Sequence, residues 1–472
     1  MSYVATIARK EIRDALVSPR FLLSFGVTAL IMLLAFANGA LSYHRQKSQY
    51  EAARAANERR FSGVTEWHQV NETETHLPPT TLSAIIPGLS YDIGTRARIS
   101  PGGEIRTRGS VYGGELFFAL FRVLDVEFVC VLLLPLLCIV MSHDAVCGER
   151  ERATLRLLLA HPIPRDSVLI GKTIGVLAIL VPGTLLLFLM GVLLLLVSGV
   201  PISGSDLLPI IGLAATAAVV ALQWTSLAIL TSILTRKAHS SFLILLVLWV
   251  GSALIWPRVS VLLAARMVDV PAREIASLER SKLSMEISLK DREAMGAIDL
   301  TGFEQDPMAR FSKVMDSLGQ ERQKQLDELS ERFRLDREVR LREQERLAIG
   351  AARLSPAVAT SLSLQELAGT SVALPSAFEK QSREYQEKFA AFLKEKTGAS
   401  GHGGRVVIRI IENGQEEKKP EIDVSEIPKF QFDQSAVVRG IDTVFVSLAS
   451  MIVCACLALG ISWRKFLTYD AR

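Results

Sequence analysis

The residues closest to a catalytic motif are Gly171, Lys172 and Thr173, which match the end of a phosphate-binding loop. That loop needs glycine at its first position, where this chain has Asp166, and it follows a strand. Lys172 instead opens a long apolar stretch. We therefore predict no phosphate binding here, and expect the Lys172 ammonium to extend toward the polar end of that stretch.

Other patterns that carry chemistry are missing from the sequence. Neither H-E-x-x-H nor G-x-S-x-G occurs, and the seven histidines are scattered. The five cysteines all lie in or beside apolar segments, which argues against a disulfide framework. We expect no catalytic residue, no metal site and no cofactor bound by this chain.

One charged segment, residues 144–165, has an informative pattern. It begins with Gly148-Glu149-Arg150-Glu151 and continues with leucines at helical spacing, among them Leu155. Pro162 and Pro164 are expected to end this helix, because proline cannot donate the helical hydrogen bond. A helix with one charged and one apolar face lies either on a membrane surface or in a groove of a partner protein.

The elements that must position this segment are long apolar blocks. The chain has 472 residues, of which 49% are hydrophobic, and a mean hydropathy of +0.30. About 20 apolar residues cross a bilayer core, and the amides there must bond within the segment, which favours helices. We predict an all-α membrane protein with six spans, at 21–42, 117–141, 170–198, 207–234, 240–258 and 439–462.

The orientation of the spans follows from the positions of Lys and Arg. These residues flank the spans on one side, whereas the hairpin 199–206 on the other side contains none. We therefore expect a multi-pass protein of the bacterial inner membrane with both termini in the cytoplasm. An amphipathic segment (1–20), a loop (142–169) and a tail (463–472) would lie inside. The net charge of +4 is too small to suggest nucleic-acid binding.

Two large polar regions would then lie outside, at 43–116 and 259–438. The first opens with a helix-favouring stretch and becomes irregular, with many Pro and Gly residues. Much of the second has apolar residues at helical spacing, which predicts a long helical hairpin or bundle. Its stretch 321–346 fits either a solvated helix with i,i+4 ion pairs or a stalk that touches a partner. Residues 405–411 alternate as in a short strand.

The loop pattern resembles the first cytoplasmic loop of ABC-2-type permeases. After Gly-Glu-Arg-Glu come Thr-Leu, Leu-Leu and His-Pro, then Arg165 and Gly171-Lys172. The family usually has Gly before the Thr, where this chain has Ala153. Leu354-Ser355-Pro356 followed by Leu-Ala-Gly-Thr at 367–370 is similar to a subgroup with a large extracytoplasmic insert. That subgroup is related to the permeases of nitrous-oxide-reductase maturation and gliding motility.

This resemblance implies partners. Such permeases pair with a second permease subunit, identical or not, and bind separate ATPase subunits that hold ATP and Mg. The loop helix would be a coupling helix in a groove of the ATPase, and residues 1–20 an elbow helix at the membrane surface. The residues that would make this ATPase contact are Asp144, Glu149, Arg150, Glu151, Thr154, Leu155 and Leu158.

Polar residues in and beside the spans suggest two further sites. One is an outer gate, or alternatively a structural ion-pair collar, made of Arg122, Asp125, Glu127, Arg258, Arg439 and Asp442. The other is a translocation path through the fourth span, lined by Gln223, Thr225 and Ser226. These three could equally hydrogen-bond a neighbouring helix.

Three functions are compatible with these patterns. The first is a permease that couples ATP hydrolysis on a separate chain to export or extraction of a substrate that the sequence does not name. The second is a mechanotransmission complex that drives an extracytoplasmic partner through the outer helical domain. The third is a membrane scaffold or sensor that needs no ATPase, which would leave the loop motif unexplained.

Overall fold

The structure, a computed structural model, is almost entirely helical where it describes the chain. The described residues are 3–62, 64–91, 94–101, 105–108, 124–160, 163–296, 307–397, 423–434, 437 and 440–468. The α-helices in chain order are α1 Tyr3–Val17, α2 Pro19–Arg59, α3 Val126–Phe128, α4 Leu134–Ser142, α5 Cys147–Glu151, α6 Thr154–Ala160, α7 Arg165–Val197, α8 Leu207–Leu234, α9 Ala238–Val250, α10 Trp256–Met267, α11 Arg273–Gly296, α12 Pro307–Ala352, α13 Pro356–Ala368, α14 Ala373–Thr397 and α15 Ile441–Leu467.

Six helical stretches of the described chain are long and apolar enough to cross a membrane. They run over Pro19–Arg59, Val126–Glu151, Arg165–Val197, Gly204–Leu234, Ala238–Met267 and Ile441–Leu467. The predicted six-helix membrane architecture is thereby confirmed, although the helices extend past the predicted spans. The first helix continues through a polar stretch to Arg59. The predicted span ended at residue 42, because hydropathy detects only the apolar part of a helix. Residues 109–123, where the second predicted span begins, lie outside the described residues.

Two of these helices contain a π-helical turn just before a proline. Val129–Leu133 joins α3 to α4 ahead of Pro135, and Gly251–Ile255 joins α9 to α10 ahead of Pro257. Proline has no N–H and its ring clashes with the carbonyl four residues earlier, so the helix widens locally. Each of the two helices therefore continues past its proline without a break.

The chain divides into two compact units. The main unit comprises Met1–Ala253 and Ser355–Arg472, and the hairpin unit comprises Leu254–Leu354. In the main unit, the largest core cluster includes the fully buried Phe36 and Trp224. Within the same unit, α13 packs against α8 and α15.

A small sheet in the main unit was not anticipated from the sequence. Strands β1 (Thr73–His76), β2 (Arg96–Ile99) and β3 (Arg106–Arg108) form an antiparallel sheet in that order, with Thr73 opposite Ile99. It belongs to the first polar region, where the sequence suggested only irregular structure. Strands of three or four residues are too short for a readable alternation of polar and apolar positions. An aromatic cluster packs beside it, formed by Phe378, Tyr385, Phe389, Phe430 and Phe432.

The hairpin unit is built on α12, the longest helix described. Its 46 residues correspond to about 69 Å at a rise of 1.5 Å per residue. The Trp256 indole N–H donates to the Ala351 carbonyl at 2.9 Å, and the Arg337 side chain donates to the Pro271 carbonyl at 3.3 Å. These contacts make α10 antiparallel to the end of α12. The predicted strand at 405–411 lies outside the described residues.

Candidate functional site

The predicted coupling helix is two short helices with a turn between them. Helices α5 and α6 meet at Arg152 and Ala153; together they form the two-helix segment, residues 147–160. The Ala153 amide donates to the Arg150 carbonyl at 3.1 Å, and the Thr154 hydroxyl donates to the Glu149 carbonyl at 3.1 Å. The sequence predicted a short charged turn that leads into one amphipathic helix. The structure instead has a short helix, α5, in the charged part, and the turn lies at Ala153.

Ala153 has a φ of +61°, the left-handed region that glycine adopts without steric cost. It follows the last residues of α5, where a left-handed residue commonly ends a helix. This geometry accounts for the glycine that the resemblance to ABC-2-type permeases leads us to expect at this position. In this chain an alanine makes the same turn and bears the strain of doing so.

Apolar side chains hold the two-helix segment against the ends of the spans. Leu155 is 2% exposed and belongs to a core cluster whose other buried members are Val146, just before the segment, and residues of α1, α7, α8 and α15. The buried members of the cluster are Ile7, Val146, Leu155, Val168, Leu169, Ile229, Ile233 and Phe466. This packing corrects the assignment of Leu155 to the ATPase contact, because a buried leucine offers no surface to a partner. Leu158 is half-buried against the same cluster.

A serine of the fourth span fixes the start of the segment. The Ser232 hydroxyl accepts hydrogen bonds from the Val146 and Cys147 amides, both at 3.0 Å. The first amides of a helix have no partner within the helix, so a side-chain acceptor there satisfies them. Ser232 is fully buried, and it therefore joins α8 directly to the N-terminus of α5.

Glu149 lies in an ion-pair network around the buried Lys172. Lys172 Nζ lies 2.8 Å from one oxygen of Glu149 and 2.8 Å from one oxygen of Glu11, and the Lys172 side chain is only 3% exposed. Lys10 of α1 approaches Glu149 at 3.5 Å. The expectation that Lys172 extends to the polar surface was wrong. Its ammonium is instead enclosed between carboxylates of α1 and α5.

Two glycines explain how α1 comes close enough to enclose Lys172. A Cβ added at Gly171 would lie 2.8 Å from the Ile7 Cβ, and one at Gly175 would lie 2.7 Å from the Glu11 Cβ. Glycines four residues apart on one face let two helices cross at short distance. The crossing of α1 over α7 therefore depends on this pair.

The remaining residues of the predicted contact differ in exposure. Asp144 is paired with Arg20 at 2.9 Å, so it joins the start of α2 to the loop. Arg150 is half-buried, whereas Glu151 and Thr154 are exposed. Arg152 and Arg156, which were not part of the predicted contact, are exposed as well. Leu157 is 67% exposed and was missed by the sequence analysis, since three consecutive leucines conceal which one faces outward.

The residues of the predicted outer gate that the structure describes each have their own local surroundings. Asp125 caps α3, where its carboxylate accepts from the Phe128 amide at 2.6 Å. Glu127 is buried and accepts from the Gln365 side chain at 2.9 Å and from the Ser361 hydroxyl, both on α13. Arg258 and Asp442 are exposed, the former in the hairpin unit. Arg122 and Arg439 lie outside the described residues.

The second motif, around residues 355–370, has a structural role in the main unit. The Ser355 hydroxyl donates to the Ser252 carbonyl at 2.7 Å. Gly369, with a φ of +68°, ends α13, and the Thr370 hydroxyl donates to the Ile86 carbonyl at 3.0 Å. These bonds tie α13 to the fifth span at one end and to the first polar region at the other.

The three predicted path residues lie inside the chain. Gln223 is 1% exposed, and Thr225 and Ser226 are fully buried in the middle of α8. The Ser226 hydroxyl donates to the Leu222 carbonyl of its own helix at 2.6 Å. In this conformation the three side chains face the helix packing. Within the part of the chain that the structure describes, no group of three His, Cys, Asp or Glu residues could hold a metal ion.

Two curated relatives share a short region with this chain. The probable ABC transporter permease protein NosY of Pseudomonas aeruginosa is 43% identical over 54 residues, 11% of this chain and 20% of that protein. The protein of the same name from Stutzerimonas stutzeri is 34% identical over 69 residues, 14% of this chain and 25% of that protein. The chain therefore matches a quarter or less of the length of each relative.

Family comparison covers much more of the chain. Residues 306–402 match a domain of unknown function, DUF3526. Residues 5–289, more than half of the chain, match the family described as ABC-2 family transporter protein. This range contains most of α1, five of the six apolar helices and the two-helix segment. The chain therefore belongs to the ABC-2 family of transporter proteins and carries its permease domain.

Proposed function

We propose that this chain couples ATP hydrolysis on a separate ATPase chain to the export or extraction of a substrate across the membrane. In this proposal ATP and Mg bind the ATPase, and a second permease subunit completes the membrane part. Both termini and the two-helix segment lie on the cytoplasmic side of a bacterial inner membrane. The observation that carries the proposal is the attachment of the two-helix segment to four membrane-associated helices.

A segment that transmits force must be fixed to what it moves. The two-helix segment meets this requirement in three ways: Leu155 is buried in a shared core, Ser232 bonds the start of α5, and Lys172 pairs with Glu149. The three contacts involve different positions of the segment, so a rotation of the segment would disturb α1, α7 or α8. Displacement of the segment would therefore displace these helices.

The opposite face of the segment is available to a partner. Arg152, Arg156 and Leu157 are exposed there, an arrangement of a large apolar residue beside guanidinium groups. Arginine and large apolar side chains are frequent at the centres of protein interfaces. We propose that Leu157 enters the ATPase groove and that the two arginines contact acidic residues at its rim. Among the residues first predicted for this contact, Glu151 and Thr154 keep that role.

Co-purification of the ATPase tests this proposal. Tagged chain is extracted from membranes, and the bound ATPase is quantified for wild type and for Leu157→Asp. We expect at least a tenfold loss of bound ATPase, since a charge placed in an apolar groove costs more than about 1.4 kcal/mol. Arg332→Glu is the matched control, because Arg332 is an exposed residue of α12 far from the segment in sequence. Unchanged ATPase binding by Leu157→Asp would refute the proposed contact.

The hairpin unit favours a second candidate function, mechanotransmission to an extracytoplasmic partner. A helix of 46 residues in a unit of its own is more than a minimal flippase requires. The structure allows a clean deletion, because the Arg337 side chain reaches the Pro271 carbonyl, so residues 273–336 can be replaced by a short Gly-Ser link. Transport that survives this deletion contradicts mechanotransmission. Mechanotransmission is supported if the deletion abolishes function while transport-linked ATPase activity persists. A scaffold without an ATPase would show no ATP dependence in either assay.

A further inference from the structure

Helix α1 packs on α7 with one side and exposes two arginines on the other. Ile7 is buried, and the Glu11 side chain meets α7 at Gly175. Arg9 and Arg13 each stand two residues from Glu11, which corresponds to about 200° around a helix. Both arginines therefore lie opposite the side that faces α7, and both are exposed.

The level of α1 relative to the membrane follows from the core cluster that contains Ile7. Ile233 and Phe466 belong to the same cluster, and each stands one residue before the end of an apolar helix. Basic pairs accompany both ends, at residues 236–237 and 464–465. Such basic residues mark the cytoplasmic surface of a membrane. Helix α1 therefore lies at the level of the lipid headgroups.

The surroundings of the two arginines indicate lipid on this side of α1. Leu16 stands three residues after Arg13 and is 54% exposed, and Val17 is 79% exposed. Arginines beside large exposed apolar side chains are typical of a helix at the boundary between headgroups and acyl chains. Lys10 approaches Glu149 at 3.5 Å, so the two-helix segment lies along a different flank of α1.

The acidic residues of α1 do not neutralise the arginines. Glu11 pairs with Lys172 at 2.8 Å. Asp14 stands three residues after Glu11, about 60° from it around the helix, and so lies nearer to the α7 side than to the arginines. Within the described part of the chain, neither Arg9 nor Arg13 has an ion-pair partner. Two cations are thus presented together at the membrane surface.

We infer that Arg9 and Arg13 bind the phosphate groups of anionic lipids in the inner leaflet. A guanidinium group is planar, and its N–H donors match the oxygens of a phosphate. Side chains four residues apart on a helix are neighbours, about 5–6 Å apart at Cβ, so both arginines can contact one headgroup. This inference rests on the proposed function, which places α1 on the cytoplasmic side.

A lipid bound there would act on the two-helix segment through Lys172. Glu11 of α1 and Glu149 of α5 both pair with Lys172, each at 2.8 Å. The lipid would hold one side of α1, while this ion-pair network joins the other side to the segment. The charge of the inner leaflet would therefore affect the position from which the segment transmits force.

Fluorescence quenching by brominated lipids tests the site in the full chain. A fluorophore is attached to Thr6→Cys, an exposed position three residues before Arg9, and the protein is reconstituted in phosphatidylcholine vesicles. Brominated phosphatidylglycerol or brominated phosphatidylcholine is added as a minor component. We expect a preference for phosphatidylglycerol of about fivefold for each arginine, the attraction of one cation near an anionic surface. Cys454 and Cys456 are replaced by serine throughout, because they are the native cysteines that are not buried.

A second labelled position is the matched control. Ser205→Cys is also exposed, and it lies in the hairpin 199–206, which contains no Lys or Arg. The two brominated lipids should quench this label equally. A preference at Thr6→Cys no greater than that at Ser205→Cys would overturn the inference.

Substitutions of the arginines identify the cause of the preference. Arg9→Gln with Arg13→Gln should abolish it, whereas Arg9→Lys with Arg13→Lys should retain most of it, because the charge is kept. The lysine pair also shows whether the altered helix still folds. A preference that persists in the glutamine pair would overturn the inference. So would a glutamine pair that keeps the lipid preference and loses the bound ATPase, since the arginines would then contact the ATPase.

The same preparations separate this inference from the proposed function. The bound ATPase is quantified for each variant before reconstitution. If the ATPase co-purifies but α1 shows no preference for phosphatidylglycerol, the coupling proposal stands and the lipid site fails. If the preference depends on the two arginines and no ATPase is bound, the lipid site stands and the coupling proposal fails.

Discussion

Replacing Ala153 by glycine should stabilise the two-helix segment. A side chain in the left-handed region costs about 1–2 kcal/mol, and glycine removes this cost. Glycine also gives the unfolded segment more freedom, which opposes the gain by about 0.4–1 kcal/mol. We therefore expect Ala153→Gly to stabilise the segment by about 0.5–1 kcal/mol. This expectation rests on the φ of +61° at Ala153.

Hydrogen exchange measures this difference locally. The Arg152 amide donates to the Gly148 carbonyl at 3.2 Å, within the turn that the substitution affects. A stabilisation of about 1 kcal/mol lowers the population of the open turn about fivefold, since 1.4 kcal/mol corresponds to a factor of ten. In Ala153→Gly the Arg152 amide should therefore exchange about two to five times more slowly than in wild type.

A substitution in the opposite direction completes the test. Ala153→Val places a β-branched side chain at the same positive φ, where such residues are rarely found. Its Arg152 amide should exchange faster than in wild type, giving the order glycine, alanine, valine for increasing rate. Equal rates in all three proteins, or faster exchange with glycine, would refute the left-handed conformation of Ala153 and with it the explanation of the family's glycine.

Three further predictions follow from the same structure. Lys172→Met leaves the Glu11 and Glu149 carboxylates, which are 20% and 16% exposed, without their shared cation. It should destabilise the detergent-solubilised protein by about 1.5–3 kcal/mol, the range for hydrogen bonds to charged groups, and lower its Tm. An unchanged Tm would contradict the enclosure of Lys172 between these carboxylates. Gly175→Val should push α1 away from α7 and weaken the protection of α1 against proteolysis. Gly251→Ala should not, because Gly251 has open space around it. Equal proteolysis of the two variants would contradict the close crossing of α1 and α7 at Gly171 and Gly175. Burial lowers the pKa of His76 below its usual value. The unfolded state therefore binds the proton more readily than the folded state does. The stability contributed by neutral His76 is present above about pH 6.5 and declines below it. The Tm should accordingly fall more between pH 7.5 and 5.5 in wild type than in His76→Leu, and equal falls would contradict the burial of a neutral imidazole.

The attachment of the two-helix segment also affects how its variants should be interpreted. Glu149 was expected to contact the ATPase, yet it pairs with Lys172 inside the chain. A loss of function in Glu149→Ala would therefore report the position of the segment as well as any ATPase contact. Leu157 is the cleaner probe, because its side chain is exposed and its replacement leaves the described anchors of the segment in place.

The sequence by itself determined the membrane helices, the helical hairpin and the motif that identifies the family. Each of these is a local property. An apolar block must satisfy its own backbone in lipid, and a helix of 46 residues repeats its pattern often enough to be recognised. The motif at residues 148–155 could be recognised from the order of its residues alone.

Only the tertiary structure decided which side of that motif is exposed. A helix of seven residues makes fewer than two full turns, so its leucines do not define a face, and burial against Ile7 and Phe466 turned Leu155 inward. Lys172 is enclosed because Gly171 admits α1, which lies far away in the sequence. The sequence pattern around a residue records its neighbours along the chain, whereas burial and ion pairing depend on segments that folding brings together.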